Sequence, residues 1–135
     1  MKLSTKGRYS VRLMIDLVLN APAGQVLMRD IARRQAISEK YLGHLVPLLK
    51  NAGLINATRG MNGGFTLAKP ASRITLKDII VAVEGPISLG DDRQEAPSGF
   101  WRRATDKILK VFDAFTLAAI AEEESEGVAA NNYII

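Results

Sequence analysis

Two helical patterns with only Gln35-Ala36-Ile37 between them restrict this chain to a small set of folds. The first, Arg29-Asp30-Ile31-Ala32-Arg33-Arg34, is too short to exceed two turns. The second opens at Ser38, a residue suited to capping a helix N-terminus, with Glu39 beside the positive end of the helix dipole. It continues through apolar Tyr41, Leu42, Leu45, Leu48 and Leu49 to a stop at Asn51-Ala52-Gly53. Two helices joined so tightly make a helix-turn-helix. Pro47 falls inside the second, where a missing N–H typically costs about 3 kcal/mol, so a kink or break is expected there.

The flanking segments extend the pattern. From Thr5 to about Asn20, Tyr9, Leu13, Met14, Ile15, Leu17 and Val18 form an apolar face, with Arg8, Arg12 and Asp16 assigned to the opposite side, and Ala21-Pro22-Ala23-Gly24 ends this first helix. Val26-Leu27 suits a short extended segment. Residues 54–59 and 65–68 alternate with strand period around Gly60-Met61-Asn62-Gly63-Gly64, which predicts a β-hairpin, the wing. Thr75 caps a fourth helix with Leu76, Ile79, Ile80 and Val83 on one face, ending at Glu84-Gly85-Pro86. Residues 85–99 read as a loop, without periodicity from 87 onward. From Phe100, apolar Trp101, Ala104, Ile108, Val111 and Phe115 recur at spacings of three and four, with Leu109 and Phe112 widening the stripe, as in a helix that lies against another helix.

The expected fold is therefore mainly α with a small β-hairpin wing, a winged helix-turn-helix over 1–84 plus a long C-terminal dimerisation helix over 100–121. An acidic tail, 122–135, containing Glu122-Glu123-Glu124-Ser125-Glu126, is expected to fray.

Composition narrows the function. The chain has no cysteine, which excludes disulfides, thiolate-bound zinc, cysteine-ligated iron–sulfur clusters and cysteine nucleophiles. The net charge of +4 is unevenly spread, +7 over residues 1–65 and −3 over 66–135, so the N-terminal half is the natural partner of a polyanion. The basic start of the chain leads into a stretch that Arg12 and Asp16 interrupt at helical spacing, which reads as an amphipathic helix and not a signal peptide. No run approaches the roughly 18 apolar residues of a membrane span, and a cytoplasmic protein without membrane partners is expected.

Three stretches resemble a known family: Lys2-Leu3-Ser4-Thr5-Lys6-Gly7-Arg8-Tyr9, Ile37-Ser38-Glu39-Lys40-Tyr41-Leu42, and Arg59-Gly60-Met61-Asn62-Gly63-Gly64-Phe65. They are similar to the Rrf-two (Rrf/IscR-type) family of bacterial winged-helix transcription regulators, over Met1 to about Glu84. The resemblance implies a homodimer whose C-terminal helices cross, with dimer contacts at Trp101, Ala104, Ile108, Val111, Phe112 and Phe115. It also implies binding of double-stranded DNA at a palindromic operator, and the expected role is that of a repressor or an activator, with the repressor preferred. Ser38, Lys40, Tyr41 and His44 would lie on the recognition helix, Arg59 with Gly60 at the minor groove, and Ser4, Lys6, Tyr9 and Arg29 among the remaining contacts. A helix N-terminus and Ser or Tyr hydroxyls suit phosphate, and an arginine suits a narrow minor groove. Cluster-sensing relatives carry cysteines between the fourth helix and the dimer helix. This chain has neither cysteine nor histidine there, so no cluster is expected and any effector is of another kind.

Other readings carry less. His44 is the single histidine and cannot build a metal site alone, while Asp91, Asp92 and Glu95 could offer oxygen ligands but suit a solvated loop equally. Trp101 could line an effector pocket, although its spacing fits packing. Gly60, Gly63 and Gly64 lack the Gly-Lys-Ser/Thr continuation of a phosphate loop, and no catalytic triad can be assembled, so an enzyme is not expected. The rival class is a winged-helix module that binds an acidic protein. A regulator that depends on a regulatory protein partner also remains open.

Overall fold

The computed structural model describes residues 3–60, 63–90 and 99–133. The elements are helix α1 (Thr5–Asn20), α2 (Met28–Gln35), α3 (Glu39–Asn51), strands β1 (Ile55–Thr58) and β2 (Gly64–Leu67), then α4 (Leu76–Glu84), α5 (Phe100–Asp113) and α6 (Leu117–Tyr133). The architecture is a winged helix: helices around one core, with a two-stranded antiparallel hairpin at its side.

Leu13, Met14 and Leu17 of α1, Ile31 of α2, Leu42, Leu45 and Leu49 of α3, Ile79 of α4 and Leu117 of α6 converge in that core, each at most 1% exposed. Burial of such side chains contributes roughly 1.5–3 kcal/mol apiece and is what fixes α2 and α3, too short to persist alone, against α1. In the hairpin, Ile55 pairs with Leu67 and Thr58 with Gly64. The extended segment before α2 joins it through Val26, whose N–H donates to the Phe65 carbonyl at 3.0 Å and whose carbonyl accepts from the Phe65 N–H at 2.8 Å. A Cβ on Gly64 would stand 2.8 Å from the Val26 carbonyl oxygen, so this close approach requires glycine.

Four expectations are corrected. Helix α3 runs unbroken through Pro47, because Pro47 and Gly43, the residue whose carbonyl loses its donor, both lie on the exposed side where water can replace the bond. Asp16, assigned to the polar side of α1, is 1% exposed. The C-terminal helix is not continuous over 100–121: α5 ends at Asp113, and Phe115, expected on the stripe of a single dimerisation helix, lies in the link to α6. There the backbone pairs with the start of α4, Leu76 N–H donating to the Phe115 carbonyl at 2.9 Å and Leu117 N–H to the Ile74 carbonyl at 2.7 Å. These bonds occupy groups that helix continuation would need. Finally, Glu122–Glu126 are not a frayed tail but exposed positions on α6, which Leu117 and Ala121 anchor into the core.

Candidate nucleic-acid interface

The recognition helix begins as its sequence requires. The Ser38 hydroxyl accepts the Tyr41 N–H at 3.0 Å and Glu39 occupies the first turn. Leu42, Leu45, Val46 and Leu49 face the core, which leaves Lys40, Gly43, His44 and Pro47 exposed along the outer side. Tyr41 is half-buried. Its ring meets the Tyr9 ring edge to face, centroids 5.4 Å apart at 77°, and Arg12 stands 5.2 Å over the Tyr9 centroid. Tyr9, expected as a contact residue, therefore also holds α1 against α3.

The other expected residues fall on three separate elements. Lys6 is exposed on the first turn of α1 and Arg29 at the start of α2. Ser4 is exposed, but its hydroxyl is engaged within the protein: it caps α1 by accepting the Gly7 N–H at 3.2 Å and donates to the Glu84 carboxylate at the end of α4. Arg59 and Gly60 are exposed just beyond β1, with Gly60 at φ +111°, in the region glycine favours.

The residues that sequence reasoning missed form a polar joint between α1 and α2. Arg34 donates to Asp16 through Nε at 2.9 Å and through a terminal nitrogen at 2.8 Å, and Gln35 Nε2 adds a third bond at 3.0 Å. Hydrogen bonding to Asp16 raises the Arg34 pKa. Arg12 donates to the Gln35 backbone carbonyl. The spacing held the signal: Asp16 lies three residues after Leu13 and one before Leu17, inside the apolar stripe.

On α5, Trp101, Ala104, Ile108 and Phe112 are half-buried, Val111 is 57% exposed, and Phe100, 41% exposed, stacks edge-on to Trp101. Phe112 faces a cavity of about 320 Å³ shared with Ile80, Ile87 and Leu89. Buried Thr105 ties the segment after α4 to α5 by accepting the Leu89 N–H at 3.2 Å and donating to the Trp101 carbonyl at 2.7 Å.

A cysteine-ligated cluster does not fit this chain, which lacks the donors. Among the described residues no three histidine or acidic side chains gather where they could hold a metal ion. Asp91, Asp92 and Glu95 lie outside the described residues. No described helix is long and apolar enough to cross a membrane.

Comparison with known proteins supplies the family. The Rrf2 (Rrf-two) family model, described as an iron-dependent transcriptional regulator, matches residues 3–123. The chain is 40% identical over 124 residues to the HTH-type transcriptional regulator CymR of Bacillus subtilis, covering 90% of each protein. The solved structure of CymR, the global cysteine regulator of B. subtilis, superposes with a TM-score of 0.79 at 39% identity, over 91% of this chain and 98% of that one. T. potens IscR superposes with a TM-score of 0.77 at 35% identity, over 94% and 90%. These relatives are named as regulators and not as enzymes. With a capped recognition helix, a wing and a family match across nearly its whole length, the chain belongs to the Rrf2 family of winged-helix, DNA-binding transcriptional regulators.

Proposed function

We propose that this protein is a cytoplasmic repressor that binds a palindromic operator as a homodimer and does so without an iron–sulfur cluster. The observation that carries the reading is the outer side of α3, where Lys40 and His44 are exposed beside a Ser38-capped N-terminus while the opposite side is locked in the core. A helix presented this way fits the major groove, its start offering N–H groups and cations to phosphate. Exposed Arg59 suits the minor groove beside it. The second copy is supported by apolar surface at Phe100, Val111 and Phe115, which one chain leaves in water. Similarity to a protein described as the global cysteine regulator makes genes of cysteine supply the first targets to inspect.

Selection of sheared genomic DNA by the purified protein at near-physiological salt, with sequencing of the retained fragments, tests the reading. Recovery of one palindromic motif upstream of a few genes is expected. Retention of random fragments or of none would favour a protein-binding module or a regulator licensed by a partner.

A further inference from the structure

We propose that buried Asp16 is a positioning residue that sets the angle of the α2–α3 unit on α1, and so governs sequence-specific affinity without touching DNA. The inference rests on the DNA-binding reading above and deepens it. Asp16 is 1% exposed, and the side chains that neutralise and bond its carboxylate come mainly from the last turn of α2, Arg34 by a two-bonded fork and Gln35 by a third bond. Asn20, one turn further along α1, bonds both the Asp16 carbonyl at 2.8 Å and the carboxylate at 3.3 Å.

Stability alone does not account for the pair, because the Arg34 side chain is one-third exposed and solvent screens its attraction to Asp16. A fork of two parallel bonds supplies what apolar packing does not: it fixes direction as well as distance. A second link runs beside it. Arg12, one turn before Asp16, holds the Gln35 carbonyl while lying over the Tyr9 ring, and Tyr9 in turn meets Tyr41 on α3. Both links end within four residues of Ser38, and the only residue between Gln35 and Ile37, Ala36, is held in the left-handed region at φ 54°. The direction in which α3 leaves the turn therefore follows the orientation of this last turn of α2.

Asp16→Asn separates positioning from electrostatics because the two predict opposite signs. Removing a buried negative charge next to a basic surface would, by charge alone, tighten DNA binding. Loss of positioning weakens it for the preferred site only. With the full-length protein held well below its melting temperature, the affinity for the selected operator is expected to fall tenfold or more, while affinity for an unrelated duplex stays level or rises a few-fold. Operator affinity equal to or above that of the wild type in folded Asp16→Asn would overturn the inference. If that variant does not fold, Arg34→Lys decides, because it keeps the charge but cannot make the fork: the same fall in the ratio of specific to non-specific binding is expected, and a wild-type ratio would overturn the inference. A wild-type protein without preference for any sequence would sink the DNA-binding reading and this inference together, whereas a wild-type preference that survives the substitution sinks only the inference.

Discussion

The Tyr9 and Tyr41 rings meet edge to face, 5.4 Å between centroids, and so join the first helix to the recognition helix through residues that would both be read as DNA contacts. Such pairs are worth about 0.5–1.5 kcal/mol beyond the area they bury. The ring of Tyr41 and its hydroxyl therefore have separable roles. Tyr41→Phe is expected to leave the melting temperature within about a degree of wild type and to weaken operator binding several-fold. A double-mutant cycle with Tyr9→Leu and Tyr41→Leu, read by denaturant unfolding, should return a coupling of about 0.5–1.5 kcal/mol; a coupling near zero would remove the rings from the α1–α3 contact.

Pro47 gives a stability prediction of the opposite sign. It interrupts the hydrogen-bond ladder of α3 while its ring lies on the exposed side, so Pro47→Ala restores a bond to the Gly43 carbonyl without opening a cavity. Part of the gain is lost because proline also restricts the unfolded chain. The net expectation is a stabilisation of about 1–2 kcal/mol, visible as a higher denaturant midpoint with unchanged slope. A lower midpoint would mean that the proline ring contributes packing that its exposure does not reveal.

What the sequence disclosed and what it withheld divide along the same physical line. Helices α1 to α4, the Ser38 and Thr75 caps and the hairpin were readable because apolar period, cap residues and turn glycines act over a few residues. Asp16 was misplaced because its partner, Arg34, lies eighteen residues away, and without that partner a carboxylate reads as surface. The break between α5 and α6 has no glycine or proline to announce it. It is imposed by backbone pairing of residues 115–117 with Ile74 and Leu76, about forty positions earlier. Ser4 was expected to face DNA because of its place in a motif, yet its proton is directed at Glu84, eighty residues on.

The wing is held by the Val26–Phe65 bridge, but Arg59 beyond it is exposed and contributes charge and reach, not structure. Arg59→Ala is accordingly expected to leave thermal stability within about 0.5 kcal/mol of wild type. Operator affinity should fall several-fold at moderate salt. The slope of log affinity against log salt should decrease by about one per protomer, the signature of one cation lost from the DNA surface. If affinity and slope both stay unchanged, the wing does not touch DNA.

The dimer prediction turns on Val111, because the structure removes Phe115 from the helical stripe and leaves Val111, at 57% exposed, as the most accessible large apolar side chain of α5. A carboxylate there would have to be desolvated in a helix–helix interface, whereas in a monomer it would stay in water. Val111→Glu is therefore expected to shift a wild-type dimer to monomer in light scattering at micromolar concentration, with at least a tenfold rise in the dissociation constant. Lys110→Glu makes a charge change about 100° round the same helix from Val111 and should leave the dimer largely intact if apolar contact at Val111, not charge, drives association. Because a palindrome rewards two linked recognition helices, operator affinity should fall with dimerisation in Val111→Glu, while binding to a single half-site should not. A monomeric wild type, or a Val111→Glu protein that remains dimeric, would place the partner-binding surface elsewhere than α5.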